Sequence, residues 1–206
     1  MERGKFITFD GGDGVGKTTQ VRLLSEKLIE MGFKIRVTRE PGGDDVGEKI
    51  RDILKSSSSM DPLCETLLLF AARRDHFVNI ISPLLEQGYI VICDRFYDSS
   101  LVYQGLLKKV SFEDIMALKR MTVGDLEPDL TIILDISPEI SMQRLVVRNL
   151  IHDEYDSMTQ EKHDLIRKGF KQIAEIFSFR SALINAGGSE KSVFLKIMQE
   201  VEKILK

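Results

Sequence analysis

A chain of 206 residues, 43% hydrophobic and 30% charged, carries enough apolar material for one substantial core and too little length for two ordinary domains. A single domain over residues 1–206 is therefore expected, and disordered and membrane-spanning classes are disfavoured. The net charge of −3 argues against a general nucleic-acid or membrane-surface binder, so any polyanion has to be held locally. Cys64 and Cys93 lack C-x-x-C spacing, the three histidines lack metal-ligand spacing, and no apolar signal core precedes the first strand. Together these features point to a cytoplasmic protein with reduced thiols.

The elements alternate strand and helix. Lys5 to Asp10 reads as a first strand, and Gly16 to Met31 as a helix with Val21, Leu24 and Leu28 on one face. Lys34 to Thr38 is a second strand, ended by Glu40-Pro41-Gly42-Gly43, and Val46 to Lys55 resumes a helical pattern. A long helix is expected from about Pro62 to Gln87, bent near Pro83, whose ring removes an amide donor. Tyr89 to Cys93 is a short apolar run suited to a central strand, followed by helical patterns over Ser99 to Leu107 and Ser111 to Val123. Leu130 to Asp135 is another buried strand, and Glu139 to about Val147 a helix behind Ser137-Pro138. Asn149 to Thr159 is polar and weakly patterned, as a mobile flap between helices would be, with its boundaries near 144 and 160. Helical periodicity returns near Leu165, Phe179 to Asn185 gives a last strand, and Val193 to Leu205 a closing helix. This order predicts a parallel five-stranded sheet flanked by helices and joined by right-handed crossovers.

One stretch states its chemistry. Gly11-Gly12-Asp13-Gly14-Val15-Gly16-Lys17-Thr18-Thr19 fits G-x-x-x-x-G-K-[ST] between a strand and a helix, the pattern of a P-loop. Its four glycines allow a tight turn that aims amides at one point, and the helix start adds its positive end, so the stretch binds polyphosphate. Lys17 reaches the β- and γ-phosphates and Thr18 offers a hydroxyl to the accompanying magnesium. Asp94 closes an apolar strand, where an acid can hold a magnesium-bound water.

A P-loop by itself does not separate a kinase from a switch. Arg39 and Arg95 follow strands, Arg73 and Arg74 lie on the long helix, and Arg144 and Arg148 stand four apart on the helix entering the flap. Bringing two phosphates together sets unit charges against each other at about 4 kcal/mol per pair 4 Å apart, for an effective dielectric near 20. Arginines, which bind phosphate bidentately and stay charged when partly buried, answer that need.

Several segments, in order, resemble those of thymidylate kinases, P-loop enzymes that phosphorylate dTMP with ATP. They are Phe9-Asp10-Gly11-Gly12-Asp13-Gly14, Thr38-Arg39-Glu40-Pro41-Gly42-Gly43, Leu68-Leu69-Phe70-Ala71-Ala72 with Arg74, and Asp94-Arg95-Phe96 followed by Ser99-Ser100 and Tyr103-Gln104-Gly105. The resemblance spans residues 5 to about 177. It implies a P-loop-type fold with a mobile lid, a homodimer, and small-molecule partners only, ATP and dTMP. It also implies roles: Asp13 on the 3′-hydroxyl of dTMP, Arg39 and Arg95 on its phosphate, Phe70 stacked on thymine, and Arg74 bonded to a base carbonyl. Ser100 and Gln104 face the base edge, and Tyr103 crowds the 2′ position.

The chain departs from the family at Arg73, commonly acidic, at Asp44, commonly threonine, and in the flap, where Asp153-Glu154-Tyr155-Asp156 replaces D-R-x-E. Gly14 stands where one branch has an arginine. The missing cation is therefore expected from Arg148, with Arg144 packed against adenine. The rivals are a kinase for another nucleoside monophosphate and an ATP- or GTP-dependent switch; no N-K-x-D element supports the latter.

Overall fold

The computed structural model describes residues 3–57, 59–147 and 159–205. Five parallel strands form one sheet in the order β2-β3-β1-β4-β5, with β1 Phe6–Asp10, β2 Ile35–Arg39, β3 Ile90–Asp94, β4 Leu130–Asp135 and β5 Ser181–Asn185. The central strand β1 is buried along its whole length, as its apolar run requires when helices cover both faces. After β1 the chain crosses to one side of the sheet, and after β3 to the other. Between their carboxyl ends a crevice opens at the point of reversal, where open α/β sheets take ligands.

On one face, α1 (Lys17–Glu30) packs Val21, Leu24 and Leu28 beside Val193, Ile197 and Val201 of α9 (Glu190–Ile204). The opposite face holds Phe70, Ile81, Leu85, Phe96, Tyr97, Val102 and Phe170. Emptying a fully buried position such as Leu24 to alanine costs about 2–5 kcal/mol. Helix starts are held by side-chain caps. Asp44 accepts from the Gly47 amide before α2 (Asp45–Ser56), and Asp61 from the Leu63 and Cys64 amides before α3 (Pro62–His76), with Pro62 at the first helical position.

The expected single helix from Pro62 to Gln87 is instead three pieces. A π-helical turn, Phe77–Ile81, separates α3 from α4 (Ser82–Glu86), and the Ser82 amide bonds the Phe77 carbonyl five residues back. Pro83 has no amide hydrogen to give, and its ring crowds the carbonyl four residues earlier; the wider turn ahead of it takes up that misfit. Likewise the helix expected over Ser99 to Leu107 is α5 (Tyr97–Ser100) running into a π-helical stretch, Leu101–Leu107. α6 (Phe112–Val123) and α7 (Pro138–Val147) follow the expected pattern. The helix α8 (Gln160–Ile176) starts ahead of Leu165, and α9 ahead of Val193, because their first turns are polar and carry no apolar periodicity. The expected flap falls mostly on 148–158, outside the described residues.

Candidate active site

The loop after β1 wraps the start of α1 with Gly11, Gly14 and Gly16 at positive φ. At Gly14 a Cβ would lie 2.5 Å from the Ser141 carbonyl oxygen of α7, so this position has no room for the arginine that one branch of the resembling family carries. Lys17 turns back into the loop, its Nζ donating to the carbonyls of Gly11 at 3.0 Å and Gly12 at 2.8 Å. Burial, with Arg95 close by, holds the Lys17 ammonium below its usual range. Asp13, Gly14, Gly16, Lys17 and Thr18 line the main cleft, whereas Gly11, Gly12, Val15 and Thr19 do not.

The end of β3 meets this loop. Asp94 pairs in register with Phe9 of β1 and Arg39 of β2, and its buried Oδ1 has no hydrogen-bond partner among the described residues. Arg95 adopts φ 71, uncommon for a residue with a side chain, and this turns its guanidinium toward the P-loop. There it donates to the Gly11 carbonyl at 3.1 Å, Ser99 Oγ at 3.2 Å, Asp13 Oδ1 at 2.5 Å and Tyr103 Oη at 3.3 Å. Burial pushes the Asp13 carboxyl up, but the Arg95 and Lys17 charges outweigh it and hold Asp13 below its usual range. Burial pushes the Tyr103 phenol up, so it stays a neutral donor. Ser99 also donates to Asp10 Oδ1 at 2.5 Å; burial and the Asp98 charge push the Asp10 carboxyl up to about 8.

The loop after β2 supplies the third wall. Arg39 lines the cleft mouth, 55% exposed, and is held by Glu48 at 2.8 Å. Glu40 points inward, 4% exposed, where one oxygen accepts from Arg73 Nε at 2.6 Å and the other faces His76 Nδ1 at 3.1 Å; His76 Nε2 meets Thr38 Oγ1 at 2.7 Å. Burial opposes the Glu40 charge, yet Arg73 and His76 outweigh it and hold its carboxyl below the usual range. Glu40, His76 and Cys93 bring ligand-type atoms within 4.8 Å of one another. With Arg73 on the carboxylate and Thr38 on the imidazole, the set is a hydrogen-bond network with its polar atoms engaged, not a cation site.

Two residues expected at the base pocket lie elsewhere. Phe70 is 1% exposed and sits in the core, with the Arg73 guanidinium 4.4 Å over its ring. Arg74 faces away, donating to the Thr122 carbonyl of α6 at 2.8 Å in an exposed contact. The cleft is lined instead by Leu69 and Arg73, each one residue earlier, and Arg73 Nη1 also donates to Ser100 Oγ at 3.3 Å. On a helix one residue is about 100° of rotation, enough to turn a side chain from a cleft to the core or to solvent.

Of the other expected residues, Ser100, Tyr103 and Gln104 all line the cleft. Arg144 lies over the P-loop, donating to the carbonyls of Val15 at 3.3 Å and Ala186 at 3.2 Å. Arg148 and Glu154 are outside the described residues. Sequence reasoning missed Glu65, whose oxygens take Gln104 Nε2 at 2.8 Å and Lys108 Nζ at 2.6 Å, and it missed Arg51 and Lys55 at the mouth. The capped start of α3 was the available signal for Glu65, because it fixes which first-turn residues face inward.

The resulting cleft encloses about 950 Å³, at the upper end for a single-ligand pocket and suited to two nucleotides. Among the described residues, eight cationic side chains line it against four carboxylates, in a chain whose overall charge is −3. The local excess of positive charge is what two phosphate groups need to approach each other. Among the described residues no helix is long and apolar enough to cross a membrane.

Comparison with known proteins gives a consistent answer. A family model described as "Thymidylate kinase" matches residues 9–197. A thymidylate kinase of Caldicellulosiruptor saccharolyticus is 42% identical over 205 residues, covering 99% of this chain and 98% of the relative. One from Bacillus licheniformis is 37% identical, covering 98% and 97%. The crystal structure of thymidylate kinase from Ehrlichia chaffeensis superposes with a TM-score of 0.81 at 34% identity, covering 97% of this chain and 99% of that one.

Proposed function

The chain belongs to the thymidylate kinase family and transfers a phosphoryl group from ATP to dTMP, giving dTDP, and from that premise we propose how its own side chains carry out the transfer. The observation that carries the assignment is the cleft that the P-loop lysine, Lys17, and the strand-end arginines, Arg39 and Arg95, line together. ATP places its polyphosphate on the amides around Gly14 and Gly16, and Lys17 exchanges its two loop carbonyls for phosphate oxygens. Arg144 packs against the adenine.

The acceptor phosphate is held by Arg39 and Arg95, and Asp13 takes the 3′-hydroxyl. The base lies between Leu69, Arg73, Ser100 and Gln104, while Tyr103 crowds the 2′ position. No general base is needed, because a phosphate monoester oxygen is already ionised near neutral pH; positioning and charge neutralisation lower the barrier. Arg148 supplies a further cation to the migrating phosphoryl group. Arg148→Ala should cut kcat at least a hundredfold, and an unchanged kcat removes this role.

Magnesium fits the residues present. Asp94 brings a buried oxygen with no described partner, and Thr18 an exposed hydroxyl, both to the wall of the cleft that also holds Lys17. These two side chains would hold the ion, whose charge when bound offsets that of the phosphate oxygens.

The chain works as one domain over 1–206, with a lid at about 144–160, and as a homodimer in the cytoplasm, with no nucleic-acid or membrane partner. The dimer is supported by exposed apolar side chains, Leu63, Leu67 and Val78, on α3 and the turn after it, and by the exposed Met121 on α6, which packs against α3. The cytoplasmic placement is supported by two free thiols, Cys64 and Cys93.

An acceptor panel tests the assignment. ADP formation from ATP and magnesium is followed with dTMP, dUMP, dCMP, dGMP or dAMP and with no acceptor. Turnover is expected with dTMP and more weakly with dUMP. Preference for any other acceptor overturns the base-pocket roles, and ATP hydrolysis without acceptor transfer overturns the kinase assignment.

A further inference from the structure

Glu65 is a carboxylate at the base end of the cleft that phosphate binding does not use. It lies in the first turn of α3, with its side chain 10% exposed, where an ionised group is costly unless it is paired. Its two oxygens take different partners: Oε1 accepts from Gln104 Nε2 at 2.8 Å and Oε2 from Lys108 Nζ at 2.6 Å. Ser100, Gln104 and Lys108 all line the same cleft, brought there by α5 and the π-helical stretch that follows it.

We propose that Glu65, held by Lys108, is a positioning residue that fixes the amide of Gln104 and thereby selects an imide base edge over an amidine-like one. The inference rests on the dTMP reading above. A glutamine amide has nearly the same shape whichever way it is turned, so its partners decide which end faces a ligand. A carboxylate paired with an ammonium can only accept. It therefore draws the Gln104 nitrogen to itself and leaves the Gln104 carbonyl oxygen as the acceptor at the cleft.

Arg73, locked by Glu40 and Ser100, contributes only donors. The two side chains together present a donor beside an acceptor. Thymine and uracil match that pattern with a carbonyl beside an N3–H. Cytosine presents an amino group beside an unprotonated N3, the reverse at both places, so it leaves buried polar atoms unmatched. Polarity at this end of the cleft is thus set by a residue that need not touch the base.

The test compares kcat/KM for dTMP and dCMP in Glu65→Gln, Glu65→Asp, Gln104→Leu and the double variant Glu65→Gln/Gln104→Leu, with KM for ATP as a control. Glu65→Gln keeps the shape but lets both amides turn. The dTMP-to-dCMP ratio should fall by about tenfold to a hundredfold, through KM for dTMP and not KM for ATP. Glu65→Asp, which still only accepts, should keep most of the ratio. In the Gln104→Leu background, Glu65→Gln should lower the ratio no further, since Glu65 acts through Gln104.

A ratio unmoved by Glu65→Gln, or additive losses in the double variant, overturns the inference. Wild-type protein that phosphorylates dCMP as well as dTMP overturns the acceptor reading beneath it, a result visible before any variant is made. If Glu65→Gln does not fold, Lys108→Met, which removes the ammonium that holds Glu65 Oε2 in place, must lower the same ratio; an unmoved ratio refutes the proposal.

Discussion

The exchange of Arg74 for Arg73 at the base pocket can be checked with one conservative variant and one control. Arg73→Lys keeps a positive charge beside Glu40, so the buried pair survives, but it removes the planar fork that bonds Glu40 and Ser100 together and stacks over Phe70. A base carbonyl left without its donor costs about 1–3 kcal/mol, or roughly five- to 150-fold in Kd for dTMP. Arg74→Ala removes an exposed bond to Thr122 and a contact over the Phe77 ring, and should change stability by less than about 2.5 kcal/mol with no effect on dTMP affinity. Thermal unfolding with and without dTMP separates the two. At a hundred times Kd the ligand stabilises wild-type protein by about 2.7 kcal/mol. For a chain of this size that is a rise in Tm of about 5–11 °C. If Kd rises a hundredfold, the same dTMP concentration equals the new Kd and the gain falls to about 0.4 kcal/mol, a Tm shift of about 1–2 °C. The reasoning is refuted if Arg73→Lys keeps the full shift while Arg74→Ala loses it.

Other consequences are open to direct measurement. Asp94→Asn should raise the magnesium concentration needed for half-maximal turnover by about ten- to a hundredfold; a superimposable magnesium titration would remove Asp94 from the metal site. Asp10, pushed up to about 8 by burial and by Asp98, holds its proton when folded at pH values where the unfolded chain has lost it. Its contribution to stability is therefore full below about pH 3.8 and declines as pH rises through 8, so Asp10→Asn should flatten this part of the urea-midpoint curve between those values. If the variant's curve runs parallel to wild type, the Asp10 proton does not matter. Leu67→Glu puts a charge among the exposed apolar side chains of α3 and should convert a dimer to a monomer in sedimentation, whereas a wild-type protein that already sediments as a monomer ends the dimer proposal.

Much of the scaffold was legible because its signals are local. Leu130–Asp135 is read to the residue, since a buried parallel strand is a continuous β-branched run, and the P-loop is legible because its glycines have a geometric reason to be there. The cleft-facing residues of α3 were misread by one position. Leu67-Leu68-Leu69-Phe70-Ala71-Ala72 is apolar throughout and Arg73-Arg74 is charged twice, so neither stretch states which residue faces the cleft. Only the docking of α3 against the Glu40 loop and α6 decides it. The π-helical stretches were illegible for a similar reason. The second has no proline, and is recognised only from where Tyr103 and Gln104 end up. Glu65 sat unnoticed because a glutamate near a helix start ordinarily needs no explanation beyond the helix dipole.

The bond between Asp13 and Arg95 crosses a boundary that the division into donor and acceptor sites conceals. Asp13 belongs to the P-loop, and Arg95, bonded to it, is the residue proposed above for the phosphate of dTMP. An acceptor phosphate that engages Arg95 competes with Asp13 for the same guanidinium, and the carboxylate it displaces stands beside Lys17, 4.0 Å away. With Arg95 in that role the two nucleotides would share a term in their binding free energies, and by reciprocity each would alter the affinity of the other by the same factor. An inhibitor aimed at one half of the cleft would then have no single affinity; its potency would be a function of how full the other half is.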